Sequence, residues 1–184
     1  MSELYVETAQ RTLARLRTEG VTGNDYQNIV RLSDGTTAYG NRLVTNGIAR
    51  QIVGAEKERA AAAGADISRW AVPGPESVVA VAATEADRER IHLDTFNHIS
   101  KGIHNTEEWA DIAYKLLQSP QRWSGPDAVI RTYLAGTADY HLGRVPVFPH
   151  DIDIRALTMS QSDFVKYVAD YDRPNRSVPY QPVE

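Results

Sequence analysis

The chain has 184 residues, no cysteine, 42% hydrophobic and 24% charged residues, and a net charge of −4. That length supports one domain with an apolar core of its own, and the composition excludes an intrinsically disordered chain. The missing cysteines exclude disulfides, thiolate nucleophiles and every cysteine-containing zinc or iron–sulfur site.

Charge is unevenly placed. Residues 1–75 carry nine Arg or Lys against eight acids, and residues 76–184 carry eleven against sixteen. Neither half has the basic excess of a duplex-DNA binder. No apolar run is long enough to span a membrane, and the N-terminus shows no basic patch followed by an apolar core. The expectation is a cytoplasmic protein, made by a cell or by something that infects one.

In chain order, residues 2–19 read as an amphipathic helix with Leu4, Ala9, Leu13 and Leu16 near helical spacing, stopped at Gly20. Ile29–Tyr39 fits a small hairpin, with Ser33-Asp34-Gly35-Thr36 as its tight turn, and a helix from Tyr26 to Leu32 broken at Gly35 fits almost as well. Leu43, Val44, Ile48, Ile52 and Val53 form a helical stripe through residues 41–63, running into four alanines and ending at Gly64. Gly40, Gly47 and Gly54 recur every seven residues, a spacing that would let another backbone approach one face. Ala71-Val72-Pro73-Gly74-Pro75 is an elbow. Beyond it, Val78, Val79, Val81, Ile91, Phe96 and Ile99 suggest one helix over residues 76–101.

Asn105-Thr106-Glu107-Glu108 is a capping box for a helix that buries Trp109, Ile112, Ala113, Leu116 and Leu117 and stops before Pro120. Ser124-Gly125-Pro126-Asp127 opens a helix expected to close at Gly136. Residues 137–158 read as extended and irregular. Ser160-Gln161-Ser162-Asp163 caps a last helix carrying Phe164, Val165, Val168 and Tyr171. The organisation expected is one mainly helical domain over residues 1–172, then an extended or disordered arm over 173–184. The fold class is mainly α: about six helices around a single core, with at most a small β-hairpin near residues 29–39.

All five histidines lie between His92 and His150, among several carboxylates. His141, His150, Asp151 and Asp153 are the residues that could ligate a divalent metal, with one position open to water for hydrolysis. The His150-Asp151 dipeptide resembles that of the all-helical histidine–aspartate phosphohydrolases. There it sits on a helix, with further histidines before it and an aspartate after it. Here it follows Phe148-Pro149 in a segment that does not read as helix, so the family is not assigned. Glu89 and His92, three apart on a helix, share a face but lack the second copy that a di-iron site needs. Asp94 and His98, one turn apart, could form an acid–base pair. Trp70 beside Arg69 and Trp123 beside Arg122 could stack on nucleic acid, although packing within one chain is the commoner arrangement.

No catalytic or cofactor-binding constellation emerges. The expectation is therefore a non-enzymatic, self-associating structural, scaffold or adaptor protein of an intracellular assembly, cellular or viral, that partners itself or another protein and no membrane. One alternative is a metal-dependent hydrolase using the His/Asp cluster at 139–153. A second is a nucleic-acid-packaging protein using Arg11, Arg15, Arg31, Arg42 and Arg50, which the charge balance does not favour.

Overall fold

The computed structural model describes residues 14, 25–68, 78–120 and 126–173. The expected first helix, the proline elbow, Trp70, Trp123 and the arm beyond residue 173 lie outside these. Among the described residues there are three strands, β1 (Asp25–Arg31), β2 (Thr37–Thr45) and β3 (Val78–Val81). Six helices accompany them: α1 (Asn46–Ala62), α2 (Glu85–Lys101), α3 (Thr106–Gln118), α4 (Pro126–Leu142), α5 (Ile152–Thr158) and α6 (Gln161–Asp172). The chain is mainly α with a small three-stranded sheet in the order β1-β2-β3.

The expected hairpin forms, and its turn follows from Ser-Asp-Gly. Gly35 adopts φ +84°, Gly35 N–H bonds Leu32 C=O at 3.0 Å, and Leu32 N–H bonds Thr36 C=O at 2.9 Å. Asp34 Oδ1 accepts from both the Thr36 N–H and its hydroxyl. This is the three-residue loop in which a type I turn is followed by a left-handed residue, the position glycine adopts without strain.

Four expectations are corrected. Residues 41–45 belong to β2, and the helix begins only at Asn46. Val78–Val81 is a strand that pairs antiparallel with β2, Leu43 opposite Ala80 and Val44 opposite Val79. A four-residue apolar run carries no period that separates strand from helix, and the two runs find each other only in the fold. The helix after it starts at Thr84, whose hydroxyl accepts from Asp87 N–H while Glu85 and Asp87 place carboxylates in the first turn. Third, α4 passes through Gly136 and ends at Gly143, at φ +65°. Residues 152–158, expected to be irregular, form α5, because Ile152, Ile154 and Ala156 are buried.

The chain divides into two compact units, residues 1–27 with 42–81 and residues 28–41 with 82–184. In the first, β3 pairs with residues 42–45, α1 packs against β3, and Arg42 is ion-paired with Asp25.

The second unit holds the core cluster, and α3 is its axis. Trp109, Ile112, Tyr114 and Ala113 have no exposed surface, and neither do Leu134 of α4, Phe164 and Val168 of α6 or Ile91 of α2. The Asn105 cap accepts from Glu108 N–H, as its sequence signature requires, and Glu108 reaches back to His104 N–H. Trp109 meets Phe148 edge-on at 4.9 Å and donates its indole N–H to Leu134 C=O. Burying such an indole is favourable only when that N–H is satisfied.

A buried polar chain fastens the hairpin to this core. Asn28 donates to the carbonyls of Asn41 and Leu157, and Tyr114 Oη bonds Asn28 Oδ1 and Met159 C=O. Gln118 takes Asn41 N–H and donates to Ala156 C=O. A Cβ on Gly40 would lie 2.6 Å from Gln118 Oε1, so only glycine admits this approach. A Cβ on Gly47 or Gly54 would meet nothing within 4 Å among the described residues, so there the seven-residue spacing marks no contact face shared with Gly40.

Candidate functional site

Four residues were singled out as metal ligands. His141 lies in the last turn of α4, its ring edge-on to exposed Tyr140 at 4.9 Å. His150 and Asp151 occupy the turn before α5, so the dipeptide is not on a helix. Asp151 Oδ2 is bonded to Arg155 Nε at 3.0 Å, and Asp153 Oδ1 lies 3.7 Å from Arg131. Arg131, projecting from α4, also donates to the carbonyls of Pro149 and His150. The segment is thus latched by arginines. Among the described residues, no group of three or more His, Asp or Glu could hold a metal ion.

Glu89 is exposed, whereas His92 is half-buried and bonded to the Ser119 carbonyl. Burial, outweighing that bond, pushes the His92 imidazole below its usual range. Asp94 does not pair with His98. Its Oδ1 takes Ser33 N–H at 2.9 Å, and its Oδ2 lies 2.8 Å from Lys115 Nζ. Asp111 Oδ2 is also 2.8 Å from that ammonium, whose side chain is only 3% exposed.

Lys115 is the charged residue that sequence reasoning passed over. Asp111 and Lys115 have the acid-first i,i+4 spacing that could have flagged one pair, but Asp94 reaches it from another helix. Burial alone would lower the Lys115 ammonium; Asp111 and then Asp94 overcome it and hold the pKa above the ordinary value. Burial alone would raise the Asp94 carboxyl; Lys115 and the Ser33 N–H overcome it and hold the pKa below. A lysine kept charged between two carboxylates is neither a nucleophile nor a base at neutral pH. The cluster secures α2 to α3.

A second buried ion pair closes the unit. Asp172, fully buried at the end of α6, accepts two bonds from Arg144 at 3.0 and 2.6 Å and one from Val147 N–H. Arg144 also reaches Thr106 Oγ1 at the start of α3. Bidentate pairing of this kind fixes geometry as well as charge.

Two surface features remain. The first is the outer face of α4. Ala128, Val129, Thr132, Tyr133, Gly136, Asp139 and Tyr140 are exposed, and Asp139 is the one charge among these seven across more than three turns. Val129 is 70% and Tyr140 84% exposed. Phe96 of α2 meets Tyr133 edge-on at 6.0 Å and, with exposed Leu93, widens the apolar surface. The usual solvent-facing helix is laced with charges. The second is an open groove of about 1280 Å³ beside the β1 edge, bounded by α3 and α6.

No described helix is long and apolar enough to cross a membrane. Compared with known proteins, the chain matches no family model, and neither a curated protein nor a solved structure is significantly similar to it.

Proposed function

We propose that this chain is a non-enzymatic, self-associating structural, scaffold or adaptor protein whose copies meet on the outer face of α4. The carrying observation is that face: six uncharged residues and one acid, exposed between residues 128 and 140. Val129, Tyr133, Gly136 and Tyr140 follow the i, i+4, i+7, i+11 spacing of a helix contact stripe. Aromatic anchors with few charges are the composition of an interface centre.

Gly136 favours a second copy as the occupant. It lies inside the helix, where glycine costs about 1 kcal/mol relative to alanine, and a Cβ there would meet nothing within 4 Å among the described residues. No contact among the described residues requires glycine at that position. A second α4, crossing antiparallel about a two-fold axis near Gly136, would gain close backbone approach and bury both copies of Tyr133 and Val129.

Sedimentation velocity over a range of protein concentrations tests the reading. A dimer or larger species is expected for the wild type and a monomer for Tyr133→Glu. A wild type that stays monomeric at high concentration, or an oligomer unmoved by Tyr133→Glu, refutes it.

A further inference from the structure

We propose that the outer edge of β1 at residues 29–31 accepts an extended acidic peptide of a partner protein as an added strand, in the place now taken by the Gln161 side chain. The inference is independent of the α4 face.

β1 ends the sheet order, so among the described residues one side of it has no neighbouring strand. Leu32 bonds Thr36 across the hairpin, and the alternation of an antiparallel ladder turns the main-chain groups of Arg31 and Ile29 the other way. At Arg31 those groups meet one carboxamide. Arg31 N–H donates to Gln161 Oε1 at 2.6 Å, and Gln161 Nε2 donates to Arg31 C=O at 3.2 Å. A primary amide that accepts from and donates to the same residue reproduces the two bonds that one residue of an added antiparallel strand would make. Further along, Asp94 covers Ser33 N–H. Among the described residues, no side chain bonds the main chain of Ile29. The edge is therefore covered by side chains at Arg31 and Ser33 and, among the described residues, left uncovered at Ile29; the Gln161 carboxamide is the one that an added strand would displace.

The groove beside this edge suits the side chains of such a strand. Ile29 is 56% exposed and lines it with Val165 and Ala169, an apolar seat for alternate residues. Its cations are unequal. Lys115 is neutralised by its two aspartates and Arg173 pairs with Asp170, but Arg31 and Lys166 have no acidic partner among the described residues. Of the acids on the lining, Asp111 is engaged by Lys115 and Gln161, and Glu108 by the α3 cap. That leaves Glu107 against two cations, which selects for an acidic strand.

The test is fluorescence anisotropy of the full chain with two labelled peptides, one alternating valine with glutamate and one alternating valine with lysine. The glutamate peptide is expected to saturate the protein and bind about tenfold or more tighter than the lysine peptide, as two exposed charge contacts would give. Gln161→Ala, which clears the edge, is expected to tighten binding. Arg31→Glu with Lys166→Glu is expected to abolish the preference. Ile29→Pro removes an outward N–H without touching the hairpin ladder, and should weaken binding. If it unfolds the protein, hydrogen exchange at Ile29 in the wild type gives the same information, with protection expected on adding peptide. Absence of saturable binding by Gln161→Ala, or equal binding of the two peptides, overturns the proposal. So does protection of residues 29–31 that grows with protein concentration and no peptide, which would give the edge to a second copy.

Discussion

Helices α3 and α4 lie against one another, and they treat polarity in opposite ways. In α3 even Lys115 and Gln118 are buried, and each is answered by named partners: two carboxylates for the lysine, Asn41 N–H and Ala156 C=O for the glutamine. In α4, Leu134 and Ala138 face inward while the outer side carries apolar and aromatic residues with a single acid. Polar groups inside and apolar groups outside are each unfavourable unless something else satisfies them. For α3 the fold supplies it; the outer face of α4 is where we propose that copies meet. Under that proposal, stability is concentrated at the first helix and association at the second.

Substitutions can break that division, beginning with the largest effects. Lys115→Met keeps the buried stem but leaves Asp94 and Asp111 facing each other without a cation. It should cost about 3 kcal/mol in urea unfolding, as for breaking a buried ion pair. Adding Asp94→Asn and Asp111→Asn should restore much of the loss. A mild effect of the lysine change alone would mean that the cluster is hydrated and not part of the core.

Asp172→Ala removes the acceptor for Arg144 and Val147 N–H, and a loss of about 2–3 kcal/mol is expected from those unsatisfied groups. Thermal unfolding reads it directly.

Asp94 adds a dependence on pH. Its carboxyl is held below the ordinary value when folded, so its stabilisation is complete above about pH 4, the unfolded value, and is lost as pH falls through the lowered folded value. Lys115 acts at the other end: its contribution is complete below the ordinary lysine value and is lost as pH rises through the raised one. Asp94→Asn should therefore be destabilising near neutrality, with the gap to wild type closing in strong acid. A gap that stays constant with pH would remove the ion pair from the account.

Gly136→Ala sharpens the contrast. It should stabilise the isolated protomer by up to about 1 kcal/mol, since the added methyl meets open space and alanine favours helix. The same change should weaken self-association measured by sedimentation. Tyr133→Glu, on the exposed face, should move protomer stability by no more than about 0.5 kcal/mol while dissociating the oligomer.

Much of this architecture is written locally. The Ser-Asp-Gly turn, the Asn105 and Ser160 caps and the apolar stripe of α3 are each decided within four or five residues, and each appears where its signal stands. The uncharged run on α4 was legible too, since only Arg131 and Asp139 interrupt residues 128–140. Its significance was hidden by the expectation that Gly136 ended the helix.

Sequence alone thus determined turns, caps and the inward faces of the longer helices, because those depend on neighbours that the chain itself holds close. Only tertiary structure made Val78–Val81 a strand, brought Asp94 to Lys115 and Arg144 to Asp172, and placed Gln161 on the edge of β1. Those choices join residues up to 130 positions apart, or runs too short to carry a period. Packing decides them, by settling which buried groups must find a partner.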